Sequence, residues 1–390
     1  MTVVHQPVTF LDHAAGTTMR PEAVEAMLPW LRERVGNPSG SHRLAREART
    51  AIDDVREQIG DRLGMEPGGV IFTSGGTEAD NLAVTGVAGR GGVVVASAVE
   101  HDAVLASVRA LGANGRLLEV DACGRVDLAA LELMLREHGP EVRLVSVMSA
   151  NNETGLLQEI TDVVSLVRDL APNALVHTDA VQAFAWCSPV ARSAGAAGPD
   201  LVSLSAHKFG GPKGVGALVV GANVQLDPVL RGGGQERERR SGTQNVAGIV
   251  AMAAAVAATD GDVGLLDRTE RLRAALLAGL RSVPGVVDLL AEVPSTGRLP
   301  SILHLCIDGI DSEALLLLLE QQGVMASAGS SCASGALEPS HVLAAMGVPR
   351  SLARGALRLS LGWDSTQADV EAATAVIPSA VERLRELDPA

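Results

Sequence analysis

Apolar positions along this chain keep two different rhythms. Between about residues 70 and 220, short runs rich in Val, Ile and Leu recur: "GVIFTS" (69–74), "GVVVASAVE" (92–100), "VRLVSVMSA" (142–150), "ALVHTDA" (174–180), "DLVSLSA" (200–206) and "GALVVG" (216–221). They are apolar nearly throughout rather than at alternate positions, which reads as strands buried on both faces. Between several of them lie stretches with helical spacing, 78–87, 128–137 and 160–170. Strands that alternate with helices imply a mostly parallel sheet between helical layers, an α/β architecture. After Gly261 the rhythm changes. "LDRTERLRAALLAGLRSV" predicts a helix, "ILHLCIDG" a strand and 311–322 a further helix, followed by a small-residue loop and a helical C-terminus. This pattern predicts a large domain over 12–260 and a smaller α+β domain over 261–390, to which residues 1–11 are assigned.

Ligands of a parallel sheet bind beyond the carboxyl ends of its strands, so the polar residues there carry information. The runs end in Gly75-Gly76-Thr77-Glu78, His101, Asn151-Asn152-Glu153, Asp179 with Gln182, and His207-Lys208. Any one of these has an ordinary explanation, since Asp and Asn at strand ends form turns and cap helices. Taken together they suggest a chemistry. "TSGGTEADN" places glycines before a helix whose first N–H groups could hold a phosphate. Lys208, at a strand end in "SLSAHKFGGPKG" (203–214), could form a Schiff base with an aldehyde cofactor, and an aspartate on a neighbouring strand could pair with a protonated pyridine nitrogen. Those are the requirements of pyridoxal phosphate. GxGxxG, GxxxxGK, GxSxG and HExxH are all absent.

Composition narrows the picture. Aromatic residues make up 2% and tyrosine is absent, so the core must be built from Ala, Val and Leu. A net charge of −14 argues against a nucleic-acid partner, whose phosphates would be repelled. The longest nearly apolar run, 246–258, is interrupted by Gly248 and is shorter than a membrane span requires. The start, "MTVVHQPVTF", lacks a basic segment followed by an apolar one, so the expected compartment is the cytoplasm and no membrane partner is expected. The four cysteines, at 123, 187, 306 and 332, form no CxxC pair, which fits neither a disulfide framework nor a zinc site, and no metal is expected. Cys306 sits in an apolar run. Cys332 sits in "SAGSSCASG", where nothing is bulky enough to anchor a core.

With these residues in place, the sequence resembles the cysteine desulfurases of the nitrogenase and iron–sulfur cluster assembly type, within the class V aminotransferases. The similarity runs nearly the whole length, through "LDHAAGTT" (11–18), "GNPSGSH" (36–42), "FTSGGTEADNLA" (72–83), "VEHDAV" (99–104), "NNETG" (151–155), "HTDAVQ" (177–182), "SAHKFGGPKGVG" (205–216), "RSGTQN" (240–245), "SAGSSCASGALEPSHVL" (327–343) and "LRLSLG" (357–362). Gly16, where such sequences usually carry threonine, and Ala45, where glycine is common, are small departures. The resemblance implies a fold-type I pyridoxal-phosphate enzyme. Lys208 would be the Schiff-base lysine, with its glycine turn leaving room for the cofactor. His101 would stack on the ring, Asp179 would pair with the ring nitrogen and Gln182 would bond the ring hydroxyl. Gly76, Thr77, Ser205 and His207 would hold the phosphate. Thr243 would reach the phosphate of a partner subunit in a homodimer. Asn152 and Arg358 would bind the carboxylate of L-cysteine. Cys332 would attack the substrate sulfur, keep it as a persulfide and deliver it to an acceptor protein, such as a cluster scaffold or a thiolation enzyme. The alternatives are a selenocysteine lyase or another C–S lyase of the same fold and, more distantly, a non-catalytic scaffold for cluster assembly.

Overall fold

The computed structural model describes residues 8–89, 91–187, 198–329 and 340–387. Its strands are β1 (Thr9–Phe10), β2 (Val70–Thr73), β3 (Val93–Ser97), β4 (Gly115–Leu118), β5 (Val142–Ser146), β6 (Leu175–Asp179), β7 (Leu201–Ser205), β8 (Gly216–Val220), β9 (Val286–Asp288), β10 (Ile302–Ile307), β11 (Val324–Met325) and β12 (Ala356–Ser360). Strands β2 to β8 form one sheet in the order β2-β8-β7-β6-β5-β3-β4. Only β8 runs against its neighbours, and the remaining pairs are parallel. The α/β architecture with a mostly parallel sheet is the one the apolar runs imply.

Helices cover both faces of this sheet, which is why its strands need no alternation. Every residue of β2, β3, β7 and β8 is buried. On one face, Leu82 and Val84 of the helix Gly76–Ala88 and Val104 of the helix Asp102–Arg109 pack on Val94, Leu144 and Leu218. On the other, Ile59 and Leu63 of the helix Arg43–Leu63 and Met252 and Val256 of the helix Val246–Gly261 pack on Phe72, Leu204 and Val219. The alanines of Val246–Gly261 are small enough for close packing against the helix Pro21–Arg32.

A second sheet, antiparallel in the order β12-β10-β9, is covered by the helices Leu265–Leu280, Ser312–Gln321 and Gln367–Leu387. Their Leu272, Leu276, Leu315, Leu319 and Ile377 close a core of their own. The N-terminal strand β1 pairs in parallel with β11, and Leu11 is part of that second core. Among the described residues no single helix is long and apolar enough to cross a membrane. The pair Val246–Gly261 and Leu265–Leu280 bends by 77° and contributes to the two cores.

Several elements escaped the sequence reading, among them the helices Pro21–Arg32 and Arg43–Leu63 and two elements beside the site. The helix Asp102–Arg109 is only two turns long, and β4 is an edge strand whose residues are mostly half-exposed, so neither shows a long apolar signal. The runs read as strands over 92–100 and 142–150 end as strands at Ser97 and Ser146, and the loops beyond those residues carry the polar groups.

Candidate active site

A cavity of about 300 Å³ opens at the carboxyl ends of the parallel strands. Gly76, Thr77, His101, Asn152, Asp179, Gln182, Ser205, His207, Lys208 and Arg358 all line it. Thr243 does not; it is exposed on the surface of the chain. Cys332 lies outside the described residues.

Lys208 is placed by the end of β7. The strand passes into a single 3₁₀ turn, Ala206–Lys208, and the lysine Nζ donates to the carbonyls of Ala14 and, at 3.0 Å, Ala15. At least two of the glycines after it are demanded by the backbone. Gly210 has φ +87°, a left-handed conformation, and a Cβ there would come 2.5 Å from Arg20 Cγ. A Cβ on Gly216 would meet the backbone of Gly75 at 2.7 Å, so glycine lets β8 pass directly under the turn that opens the Gly76–Ala88 helix.

That turn is suited to an anion. The first N–H groups of a helix have no partner within it and carry partial positive charge. Here they open the cavity at Gly76 and Thr77. Glu78, the acidic residue of the first turn, would repel an anion if it were free. Instead it accepts from Ser74 N–H at 2.8 Å and from Arg240 at 2.7 and 3.1 Å, which holds its carboxyl below the usual range. Buried Ser205 joins the turn, its Oγ 2.9 Å from His207 Nδ1. Burial, with Lys208 and Lys213 nearby, pushes His207 down to about 4, so the ring is neutral and can share hydrogen bonds.

Asp179 ends β6 with its carboxylate buried and one oxygen accepting from Val181 N–H at 2.8 Å. Burial raises its pKa. The Val181 N–H and the nearby His101 and Lys208 pull it back. His101 caps the helix Asp102–Arg109, with Nδ1 accepting from Ala103 N–H at 3.1 Å, so a neutral ring carries its proton on Nε2. Gln182 spends its amide nitrogen on the carbonyl of Ala14 at 2.8 Å.

Arg358 comes from the second sheet. It lies on β12 opposite His304, buried, and crosses to the cavity, donating to Asn152 O at 2.9 Å and to Asp12 at 2.8 Å. Its Nε is buried with no hydrogen-bond partner. The adjacent Asn151 is structural, since its side chain ties the loop to Val99 O, Glu153 N and Thr154 N.

The sequence reading gave no role to several residues at or near the cavity. Asp80 sits one turn into the Gly76–Ala88 helix, where it looks like solvent-facing polarity. Glu153 is buried and accepts from Ser340 Oγ at 2.5 Å, and His341 Nε2 lies 2.9 Å from Glu100 O. Asp12 and the carbonyls of Ala14 and Ala15 belong to "LDHAAGTT", a motif quoted for the resemblance but given no role. Backbone carbonyls leave no mark in side-chain pattern.

The class-V aminotransferase family matches residues 9–373. The chain belongs to this family. Among class-V aminotransferases it is 44% identical over 395 residues to an IscS-like cysteine desulfurase of Mycobacterium tuberculosis, an alignment that covers 97% of each chain. It is 40% identical over 388 residues to the cysteine desulfurase IscS of Methanosarcina thermophila, covering 97% of this chain and 93% of the relative. A solved NifS-like protein superposes with a TM-score of 0.86 at 33% identity, covering 97% of this chain and all of the other. These relatives place the chain among the cysteine desulfurases of the class-V family.

Proposed function

We propose that this enzyme takes sulfur from L-cysteine with the help of pyridoxal phosphate, releases L-alanine and leaves a persulfide on Cys332 for an acceptor protein. The observation that supports this reading best is the convergence, in one cavity, of Lys208, buried Asp179, His101 and an anion-suited helix start, with Arg358 facing them from the second sheet. The residues fit the cofactor. Gly76, Thr77, Ser205 and His207 would hold its phosphate. Asp179 would keep a proton on the ring nitrogen, His101 would cover the ring, Gln182 would bond the ring hydroxyl and Lys208 would be the covalent attachment point. When bound, pyridoxal phosphate supplies an electron sink that allows the bonds around the substrate's α-carbon to break.

The rest is work for this chain's own side chains. Arg358, steadied by Asn152 O, binds the substrate carboxylate, and Asn152 borders it. Lys208 moves the proton at the α-carbon, and the Nε2–H of His101 is placed to exchange a proton with the reacting groups. Cys332 attacks the substrate sulfur as a thiolate: an S–S bond forms, the C–S bond breaks with its electron pair staying on carbon, and that carbon is then protonated. Thr243, exposed in one chain, completes the phosphate site of a second subunit, which makes the working form a homodimer in the cytoplasm.

Borohydride reduction of the cofactor-loaded protein followed by peptide mapping tests the attachment. The label is expected on Lys208, and a label on exposed Lys213 would overturn it. Stoichiometric alanine and protein persulfide from L-cysteine test the reaction, and sulfide released with no persulfide stage would favour a direct C–S lyase.

A further inference from the structure

The helix Gly76–Ala88 packs on the sheet through an interface that should be apolar, yet a row of polar groups runs beneath it. Ser146 lies opposite His177 and Asp179 opposite Ser203. Since His177 and Asp179 are two apart on one strand, all four side chains share a face. Asp80 meets them from the helix. All are buried. His177 bridges the row, with Nδ1 2.8 Å from Ser146 Oγ and Nε2 2.9 Å from Ser203 Oγ.

The row contains two carboxyl groups and no cation to balance both. His177 Nε2 is 3.7 Å from Asp80 Oδ1, but burial pushes this histidine down to about 3, so it is neutral. Asp80 Oδ1 is buried with no hydrogen-bond partner, and Asp80 lines the cavity beside Asp179. Burial is the main influence against a charge on Asp80; among its neighbours Asp179 and Glu100 add to it, while Ser203 favours the charge. Asp179 is better placed to be the anion, because it has the Val181 N–H, His101 and Lys208. Two buried carboxylates so close cannot both ionise without a heavy penalty.

We propose that Asp80 is a positioning residue for Asp179: the pair holds one proton, the proton sits on Asp80, and Asp179 is the single anion that faces the cavity. This rests on the reading in which Asp179 faces the ring nitrogen of pyridoxal phosphate. A neutral acid behind Asp179 leaves a single negative charge to match one protonated nitrogen, and loading the site then requires no proton to leave the pair. Ser203 holds the neutral carboxyl, with the His177 ring packed beside it, so that Asp179 keeps its place.

The test is the infrared difference spectrum of protein in heavy water, wild type minus Asp80→Asn, recorded both cofactor-free and loaded with pyridoxal phosphate at neutral pH. Wild type and Asp179→Asn are each expected to show a protonated-carboxyl band that Asp80→Asn lacks, while bands from other raised carboxyls such as Glu100 cancel in the subtraction. Absence of that band from loaded wild type means Asp80 is ionised and overturns the proposal. Cofactor retention gives a second measurement. Asp80→Ala should weaken it about tenfold or more by leaving buried partners unpaired, while Asp80→Asn, neutral and of the same shape, should stay within about threefold of wild type. Equal loss in both variants, or failure of Asp80→Asn to fold, would show that the charge is what matters and would also overturn it. If Asp80→Ala does not fold, the spectrum and the Asp80→Asn retention decide alone. A wild-type protein that does not bind pyridoxal phosphate at all would sink the functional reading instead, and the cofactor-free spectrum would still report whether Asp80 is protonated.

Discussion

Arg358 is braced by Asp12: Nη2 donates to the Asp12 carboxylate at 2.8 Å, although the two residues are far apart in sequence. Nη1 is occupied by the carbonyl of Asn152, which leaves the buried Nε without a partner. The guanidinium is thus oriented but not saturated, and a lysine has no fork with which to reproduce this. Arg358→Lys is expected to raise KM for L-cysteine by about 10- to 100-fold with the bound cofactor retained. Asp12→Asn should raise KM by less, and the double variant should be little worse than Arg358→Lys alone, because both act through one contact. Steady-state kinetics checks this, and a lowered Tm with near-normal KM would make Arg358 merely structural.

The described cysteines are poor nucleophiles. Burial pushes the thiols of Cys187 and Cys306 up to about 12, and burial together with Asp121 raises Cys123. Each is therefore a thiol rather than a thiolate at neutral pH. Cys332→Ser should keep the yellow cofactor and bind L-cysteine, yet form no persulfide and little alanine. Serine at 123, 187 or 306 should leave turnover largely intact. Mass spectrometry after brief exposure to L-cysteine locates the added sulfur, and finding it on one of those three, with Cys332 unmodified, would reassign the nucleophile.

Thr243 is exposed and does not line the cavity that holds Lys208, while Arg240, three residues earlier, clamps Glu78 at the helix start. Thr243→Ala should weaken cofactor retention, and so should Lys208→Ala. Mixed dimers of the two variants should regain one intact site, since the chain with Lys208 receives Thr243 from its partner. Absorbance of the mixed dimers and sedimentation at assay concentration test this, and a fully active monomer would exclude a shared site.

His177 couples stability to pH. Its ordinary pKa is about 6.5 and burial lowers it to about 3. Between those values the unfolded chain binds the proton that the folded chain refuses. The contribution is therefore complete above about pH 6.5 and is lost as pH falls toward 3. His177→Gln should be less stable than wild type at pH 7, and the gap should narrow by about 2 kcal/mol by pH 5. The raised carboxyls Asp80 and Glu100 have the opposite slope, with stability lost as pH rises, but they are present in both proteins. Denaturant titrations at the two pH values measure the difference, and a gap independent of pH would mean that His177 takes up its proton as readily in the folded chain as in the unfolded one.

Much of the cavity was legible in sequence because parallel strands end on one edge. Asp179, Lys208, His101 and the Gly76 turn each come after a buried apolar run, and topology alone brings such ends together. Arg358 could be named only through family resemblance, since nothing local says that β12 of a separate sheet faces the same space. Asp80 was invisible for another reason: in an amphipathic helix an aspartate is normally read as the wet side, and only the packed structure shows Ser203 and His177 waiting beneath it. The left-handed turn that fixes Gly210 against Arg20 gave no signal of its own beyond the glycine itself.

The backbone of residues 12–15 bears none of the groups that would touch the reacting atoms, yet it works as a ruler between them. Asp12 grips Arg358, the Ala14 carbonyl takes Lys208 and Gln182, and Ala14 N–H donates to Ser360 Oγ at 2.9 Å, beside Arg358 on β12. The spacing between the lysine that would carry the cofactor and the arginine that would read the substrate is thereby set by a few peptide units anchored through β1 to the second core. A proline introduced there, or a chain shortened past Leu11, would disturb both handles in one stroke. Such a variant would look like a double active-site lesion with every active-site side chain still in place.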